Sequence, residues 1–144
     1  MTKQFICSFF ALLMLVSVCL FGCVSSSQTL TTEVENEICQ SYWDTYVRKS
    51  ESITVADLRA ECVYQSDEIY AIFIHDPTLV YITIDRWESV GDVTLIFEDG
   101  QPLYIFNQGK LSTLKAAFES ELIGTNYLKN LKTALNKYYT NKYR

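Results

Sequence analysis

Side chains that could perform acid–base chemistry are few in this sequence of 144 residues. His75 is the single histidine, and Asp76 follows it directly. Adjacent residues of a strand point to opposite faces, so these two cannot readily form a catalytic dyad. Five further carboxylates could pair in principle, but they lie among turn residues, which predicts solvated loops: Asp85, Glu88, Asp92, Glu98 and Asp99. The sequence therefore predicts no catalytic residue.

Ligand sets for metals and cofactors are not found in the sequence either. A structural zinc site uses four Cys or His ligands. Three of the five cysteines lie within the first 23 residues, and the single histidine with the two well-separated cysteines that follow, Cys39 and Cys62, does not supply four ligands. No glycine-rich phosphate loop, nucleophile elbow or metal-binding helix motif is present. We therefore expect no metal and no cofactor, and we favour a role without catalysis.

The N-terminal segment carries the clearest chemical signal. An apolar run, residues 5–21, follows Lys3, which is typical of a secretory signal peptide. The run ends in Leu20-Phe21-Gly22-Cys23, which resembles the bacterial lipoprotein box: an aliphatic residue, a small residue before the cysteine, and the cysteine that accepts lipid. Phe21 departs from the small or branched residue usual at its place. Cys19 fits less well, because Val18 is not small.

A lipid on Cys23 would determine where the protein works. The thiol can form a thioether to a diacylglyceryl group, and two or more acyl chains anchor a protein stably. We expect a signal peptide over 1–22, a lipidated cysteine and tether over 23–32, and a single domain over 33–144 on the extracytoplasmic face of a membrane. The alternatives are an ordinary cleaved signal or an uncleaved anchor helix.

Charge is distributed unevenly along the chain. Without residues 1–22 the chain keeps 11 basic and 17 acidic side chains, a net charge of −6, which argues against binding to nucleic acid. Residues 33–99 hold 15 acidic and 4 basic side chains, whereas residues 100–144 hold 2 acidic and 7 basic ones. This pattern predicts either two solvated faces or a basic partner surface made by Lys129, Lys132, Tyr138 and Tyr139, suited to an anionic target.

Hydrophobic periodicity predicts a helix, then a sheet, then two helices. Thr32 and Glu35 form a capping-box pattern before a helix over 33–49. Alternation predicts a strand with Leu58, Ala60, Cys62 and Tyr64 on one face. The remaining predicted elements are an apolar strand over 69–74, a β-rich segment over 79–98 with a bulge or break at Gly91, a hairpin of "VTLIF" with "LYIF" around Asp99-Gly100, a helix from about Leu111 to Leu122, and a last helix over 125–139 with the stripe Leu128, Leu131 and Leu135.

These elements predict an α+β fold. We expect an N-terminal helix, an antiparallel sheet of four to five strands, and two C-terminal helices packed on one face. Cys39 on the first helix and Cys62 on the first strand would both face the helix–sheet interface. They could form a disulfide, worth about 3 kcal/mol for a loop of this length, or pack as two free thiols.

The C-terminal half resembles a group of small exported bacterial proteins of unknown function. The shared motif covers Gly109-Lys110, Leu114, Ala117, Phe118, Leu122-Ile123 and Leu128. The "LIFEDGQPLYIF" and "ICQSYWDTYV" segments also look like that group, so the similarity covers most of residues 35–137. The chain departs from the group at Glu121, where a glycine is frequent, at Gly124, where a Thr or Ser cap is usual, and at Tyr127. We therefore expect Thr125 to cap the last helix instead. The resemblance implies a fold and an exported location, and no activity.

Together these observations favour a lipid-anchored, non-catalytic module that binds a protein, a peptide or a wall component. The alternative is a small enzyme or enzyme inhibitor displayed at the surface. The two differ in what a structure should show. A deep pocket with converging polar groups would favour catalysis, whereas a broad exposed aromatic or charged patch would favour binding.

Overall fold

The computed structural model describes residues 29–81 and 84–144. It shows a four-stranded antiparallel sheet with one helix on the first face and two helices and a β-hairpin on the second face. The predicted α+β class is confirmed. The elements are α1 (Thr32–Tyr42), continued by a π-helical turn (Trp43–Val47), a 3-10 turn (Val55–Asp57), β1 (Arg59–Ser66), β2 (Ile69–His75), β3 (Arg86–Val90), β4 (Val93–Phe97), β5 (Leu103–Asn107), β6 (Lys110–Thr113), α2 (Leu114–Glu119) and α3 (Thr125–Lys142).

The strand pairing differs from the predicted hairpin. The main sheet has the order β1-β2-β5-β6, and β3 pairs with β4 in a separate two-stranded sheet. The prediction that "VTLIF" pairs with "LYIF" is therefore wrong. The tight turn lies earlier, at Gly91-Asp92, where Val90 pairs with Val93 and Gly91 has a φ of +56°. Position 91 requires glycine for two reasons. Its φ is positive, and a Cβ added there would lie 2.8 Å from the Phe118 ring. The predicted break at Gly91 is confirmed.

The main sheet is buried on both faces. Strand β2 contributes Ala71 and Phe73 to the core beneath α2 and α3, and Ile72 and Ile74 to the core beneath α1. This burial matches the apolar character predicted for both faces of the strand. Strand β6, Lys110–Thr113, was predicted as the start of a helix and is instead the edge strand beside β5.

A bulge in β1 changes the predicted face of Tyr64. The register shifts between Cys62 and Tyr64, so two residues oppose one on β2. Cys62 stays in the core beneath α1, whereas Tyr64 packs in the other core, with its ring 4.9 Å from that of Tyr127. The prediction that both side chains share one face is wrong for this reason.

The start of α1 is capped one residue earlier than predicted. The hydroxyl of Thr31 accepts a hydrogen bond from the backbone N–H of Val34 at 3.3 Å, so Thr31 and not Thr32 is the N-cap. Glu35 closes no capping box. Its carboxylate accepts a hydrogen bond from the Ala60 N–H at 3.2 Å and thereby joins α1 to the start of β1.

The corner between α2 and α3 is a Schellman motif built without glycine. The Leu122 N–H donates to the Ala117 carbonyl and the Glu121 N–H donates to the Phe118 carbonyl. Glu121 has a φ of +63°, the left-handed conformation that glycine adopts most readily. The expected cap at Thr125 is wrong, since α3 begins after Gly124 with no side-chain cap.

We predict that Glu121→Gly stabilises the domain. Glycine removes the steric cost of the left-handed conformation, and we expect a gain of about 0.5–1 kcal/mol in the free energy of unfolding. Urea denaturation of both proteins measures it. The matched control is Glu119→Gly, at a helical position two residues earlier, which should lower stability by about 0.5–1 kcal/mol. A loss of stability in both variants would contradict the prediction.

Candidate functional site

Asp76 is a buried carboxylate that joins α1 to the end of β2. Its side chain is 3% exposed. It accepts hydrogen bonds from the Tyr42 hydroxyl at 3.0 Å, from the Thr78 hydroxyl at 2.6 Å and from the Thr78 backbone N–H at 2.9 Å. Burial alone would raise the pKa of Asp76, but the bonds from Thr78 and Tyr42 and the nearby His75 together hold it below its ordinary value. The ionised carboxylate therefore acts as a fixed hydrogen-bond acceptor.

Asp99 forms a second cluster of the same kind on the opposite face. Its carboxylate accepts from the Tyr139 hydroxyl at 2.9 Å, from the Lys142 ammonium at 3.1 Å and from the Gln101 backbone N–H at 3.1 Å. These contacts join the end of α3 to the segment after β4. The prediction that Asp99 lies in a solvated loop is wrong, because α3 continues to Lys142 and covers it. Asp85, Asp92 and Glu98 are exposed as predicted. The same prediction is wrong for Glu88, which lies on β3, half-buried and 3.2 Å from the Arg86 guanidinium.

The two clusters lie at the same end of the main sheet. The Gln101 side-chain amide donates to the Ile74 carbonyl at 3.3 Å and so links the Asp99 turn to the end of β2. Tyr81 is close to both: burial raises the pKa of Tyr81, and the charges of Asp76 and Asp99 raise it further. On each face of the sheet, an aspartate at this end therefore accepts a hydrogen bond from a tyrosine hydroxyl and so holds the covering helix to the sheet.

A small cavity opens beside the Asp99 cluster. Its volume is about 200 Å³, below the roughly 300–1,000 Å³ of pockets that enclose a small-molecule ligand. Its lining comprises Arg59, Ala60, Glu61, Phe73, His75, Gln101, Tyr138 and Lys142. His75 faces this cavity while Asp76 bonds to Tyr42 on the other face of the sheet, as strand alternation predicted.

Most polar side chains that line this cavity form hydrogen bonds within the domain. The Tyr138 hydroxyl donates to Glu61 at 3.0 Å, and the Arg59 guanidinium donates to the Ala56 and Leu58 carbonyls at 2.6 and 2.7 Å. Lys142 pairs with Asp99. Because Arg59, Glu61, Tyr138 and Lys142 already have partners, the arrangement supports a structural function for these four residues. Among the described residues, no group of three or more His, Cys, Asp or Glu is placed to hold a metal ion.

We predict that tyrosine ionisation in the native protein is delayed. Burial is the largest cause that raises the pKa of six tyrosines: Tyr42, Tyr81, Tyr104, Tyr127, Tyr138 and Tyr139. The pKa of Tyr104 rises to about 12. Their contribution to stability is complete below the ordinary tyrosine pKa of about 10 and is lost as the pH rises above it. At about pH 11 the phenolate absorbance should therefore show several fewer ionised tyrosines in the native chain than in urea. Equal absorbance in the two states would contradict this.

Cys39 and Cys62 are both buried and both free. They lie in the core beneath α1, and burial raises the pKa of each thiol to about 11. The arrangement is thus the second of the two predicted alternatives, free thiols that pack as small apolar groups.

The four residues of the possible basic partner surface differ in exposure. Tyr139 is buried against Asp99, and Tyr138 packs on the core with its hydroxyl on Glu61. Tyr139 continues the apolar stripe of α3 four residues after Leu135, and Tyr138 packs against the same core. Lys129 and Lys132 are exposed. The predicted lipid site, Cys23, lies outside the described residues.

The β3–β4 hairpin exposes an apolar face that sequence reasoning missed. Its inner face, with Val90, Val93, Leu95 and Phe97, joins the core. On its outer face Trp87 pairs with Ile96 across the two strands, and Trp87 is 63% exposed. The strict alternation of "RWESV" and "VTLIF" contained this signal. Once Val90 and Val93 are buried, residues 87 and 96 fall on the opposite face.

Further exposed apolar residues precede this hairpin. The segment leading into β3 exposes Leu79, Val80 and Ile84, and Val80 is 93% exposed. Acidic residues lie beside them at Asp85 and Glu98, which flank the first and last residues of the hairpin register. We call Leu79, Val80, Ile84, Trp87 and Ile96 the apolar patch. Four of these residues lie within residues 79–87 and the fifth, Ile96, pairs with Trp87. Exposed apolar groups that are grouped in this way favour an interaction surface.

Comparisons with models of known protein families, with curated proteins and with solved structures gave no match. The similarity to small exported bacterial proteins remains a prediction from the motif residues. No helix within the described residues is long and apolar enough to cross a membrane.

Proposed function

We propose that this chain is a lipid-anchored protein of the cell envelope whose domain is a non-catalytic interaction module. The anchor is the lipid on Cys23, at the extracytoplasmic face of a membrane. The box Leu20-Phe21-Gly22-Cys23 after an apolar run supports this part of the proposal. A serine-rich tether follows the cysteine and connects it to α1.

The observation that carries the binding role is the apolar patch. Tryptophan is among the residues that most often carry the binding energy of protein–protein interfaces, and the core of such an interface is depleted of charged side chains. The Asp76 and Asp99 clusters support a role without catalysis, because their polar groups bond to one another and stabilise the fold. The patch therefore offers the domain's interaction surface.

The tether places the partner close to the membrane. Eight residues separate Cys23 from Thr32, and an extended chain spans at most about 3.5 Å per residue. The start of α1 can thus lie no further than about 30 Å from the anchor. The partner is therefore a membrane-proximal protein or a wall component at that depth.

Photocrosslinking in intact cells tests this function. A photoreactive amino acid replaces Trp87 in one variant and Lys129 in the other, since both positions are exposed and only the first belongs to the apolar patch. We expect a discrete adduct from position 87 in the membrane fraction and none from position 129. Identical adducts from the two positions, or none from position 87, would contradict the proposal.

A further inference from the structure

The β3–β4 hairpin has backbone edges that no other strand covers within residues 29–81 and 84–144. In a hairpin closed by a two-residue turn, the closing pair is hydrogen-bonded and the bonding then alternates along the strands. Val90 and Val93 close this hairpin. The backbone N–H and C=O groups of Trp87 and Ser89 therefore point away from β4, to the free edge of β3.

The apolar patch is concentrated on the β3 side of this hairpin. Trp87 lies on β3, and Leu79, Val80 and Ile84 precede it in the chain. Opposite β3, the last helix α3 packs against β4 through the core. An extended segment that paired with β3 would therefore meet unpaired backbone groups and exposed apolar side chains together. Strand addition of this kind takes affinity from the backbone and specificity from alternate side chains.

The charges around the hairpin determine which kind of extended segment it would bind. Asp85, Asp92 and Glu98 are exposed and form no ion pair among the described residues. The one basic residue of the hairpin, Arg86, is engaged by Glu88 at 3.2 Å and lies over the Phe97 ring at 4.6 Å. The hairpin thus presents three free carboxylates and no free cation of its own. Such a field favours a cationic partner and disfavours an anionic one.

We propose that β3 binds an extended, basic and apolar segment of a partner protein, which adds to the two-stranded sheet as a third strand. This inference rests on the proposed function and specifies its partner. Apolar side chains of the segment cover Trp87 and its neighbours, and basic side chains approach Asp85 and Glu98. The pairing runs along Trp87 and Ser89, whose backbone groups have no hydrogen-bond partner among residues 29–81 and 84–144.

The first test uses two synthetic peptides of equal length. Both alternate the same valines and isoleucines with charged residues, which are lysines in one peptide and glutamates in the other. The full chain is placed in neutral phosphatidylcholine nanodiscs, and empty nanodiscs serve as the blank. Fluorescence anisotropy should show binding of the lysine peptide about tenfold tighter than that of the glutamate peptide, and the preference should shrink as salt rises to about 1 M. No binding of the lysine peptide, or equal binding of both, would overturn the inference while the crosslinking result at position 87 still decides the proposed function.

The second test identifies the edge. Ser89→Pro removes a backbone donor at the free edge of β3, and Thr94→Pro removes the matching donor at the edge of β4. Both positions face away from the hairpin's own hydrogen bonds, so the ladder is retained in each variant. We expect Ser89→Pro to weaken binding of the lysine peptide at least tenfold and Thr94→Pro to leave it unchanged. Equal effects of the two prolines would overturn strand addition at β3.

Other occupants of the apolar patch would give different results. A second copy of this chain would show as a dimer that Trp87→Ala dissociates. If the patch binds a lipid surface, the protein should bind vesicles that contain no other protein. Trp87→Ala should then abolish this binding and Ser89→Pro should leave it unchanged. Either result would overturn the inference of a basic protein segment.

Discussion

Replacing Asp76 by alanine is expected to lower the free energy of unfolding by about 3 kcal/mol. The substitution leaves the Tyr42 hydroxyl buried without its acceptor and removes both bonds from Thr78. Unpaired buried polar groups cost about 1–3 kcal/mol each, and bonds to charged groups are stronger than neutral ones. Urea denaturation monitored by circular dichroism measures the loss.

Two further variants show how much of this loss in stability comes from the hydrogen bonds of Asp76. Tyr42→Phe removes one of the three hydrogen bonds and should cost about 1–2 kcal/mol. Glu98→Ala removes an exposed carboxylate that directly follows β4 and should stay within about 0.5 kcal/mol of the original protein. If Asp76→Ala cost no more than Glu98→Ala, the Asp76 cluster would not hold α1 to the sheet.

Acid should weaken the protein through the same residue. The pKa of Asp76 is lowered in the folded state, so its contribution is complete above the ordinary aspartate pKa of about 3.9. That contribution is lost as the pH falls below this value and through the lowered folded pKa. The destabilisation below about pH 4 should therefore be smaller in Asp76→Asn than in the original protein.

The second large effect concerns the anchor. Cys23→Ser should abolish lipid attachment, because serine cannot form the thioether to a diacylglyceryl group. Without its acyl chains the protein should remain unprocessed or leave the lipid-modified membrane fraction. Labelling cells with a fatty-acid analogue, followed by fractionation, measures both properties.

The chain offers a close control for this experiment. Cys19→Ser changes a cysteine four residues earlier that does not follow a small residue, so labelling and processing should persist. Persistent labelling of Cys23→Ser, or its loss in Cys19→Ser alone, would contradict the assignment of Cys23 as the lipid site.

Periodicity predicted the fold class because burial has a simple signature in sequence. Strand β2 is covered on both faces and is apolar throughout, and α3 shows its stripe at Leu128, Leu131 and Leu135. The predicted helix over 33–49 is regular only to Tyr42, because a π-helical turn follows and ends at Arg48 with a φ of 56°. Such a change of helix type has no periodic signature.

Pairing was harder to predict than the strands themselves. Asp99-Gly100 is a strong local hairpin signal, yet the competing turn at Gly91-Asp92 is tighter and is fixed by Phe118 from α2. Phe118 lies far along the chain, so the local sequence does not contain this contact. The burial of Asp99 has the same origin, since Tyr139 and Lys142 approach it only once α3 has packed.

The apolar patch was missed because large apolar residues such as tryptophan are usually assigned to the core. A β-rich segment with Trp87, Ile84 and Ile96 reads as core, and only the register of β3 with β4 shows which residues remain outside. The inward position of Tyr139 on the last helix has the opposite origin, since a tyrosine near a chain end beside lysines suggests exposure and the packing of α3 buries it.

Oxidative footprinting of Trp87 in native envelopes tests the central claim most directly. Hydroxyl radicals modify side chains in proportion to their exposure, and Trp87 is 63% exposed in the free domain. Tyr143, 58% exposed on the C-terminal residues, is the internal control. If the apolar patch binds a partner, oxidation of Trp87 should be several-fold lower in envelopes than in the purified protein, while Tyr143 is oxidised equally in both. Equal oxidation of Trp87 in envelopes and in the purified protein would contradict the account.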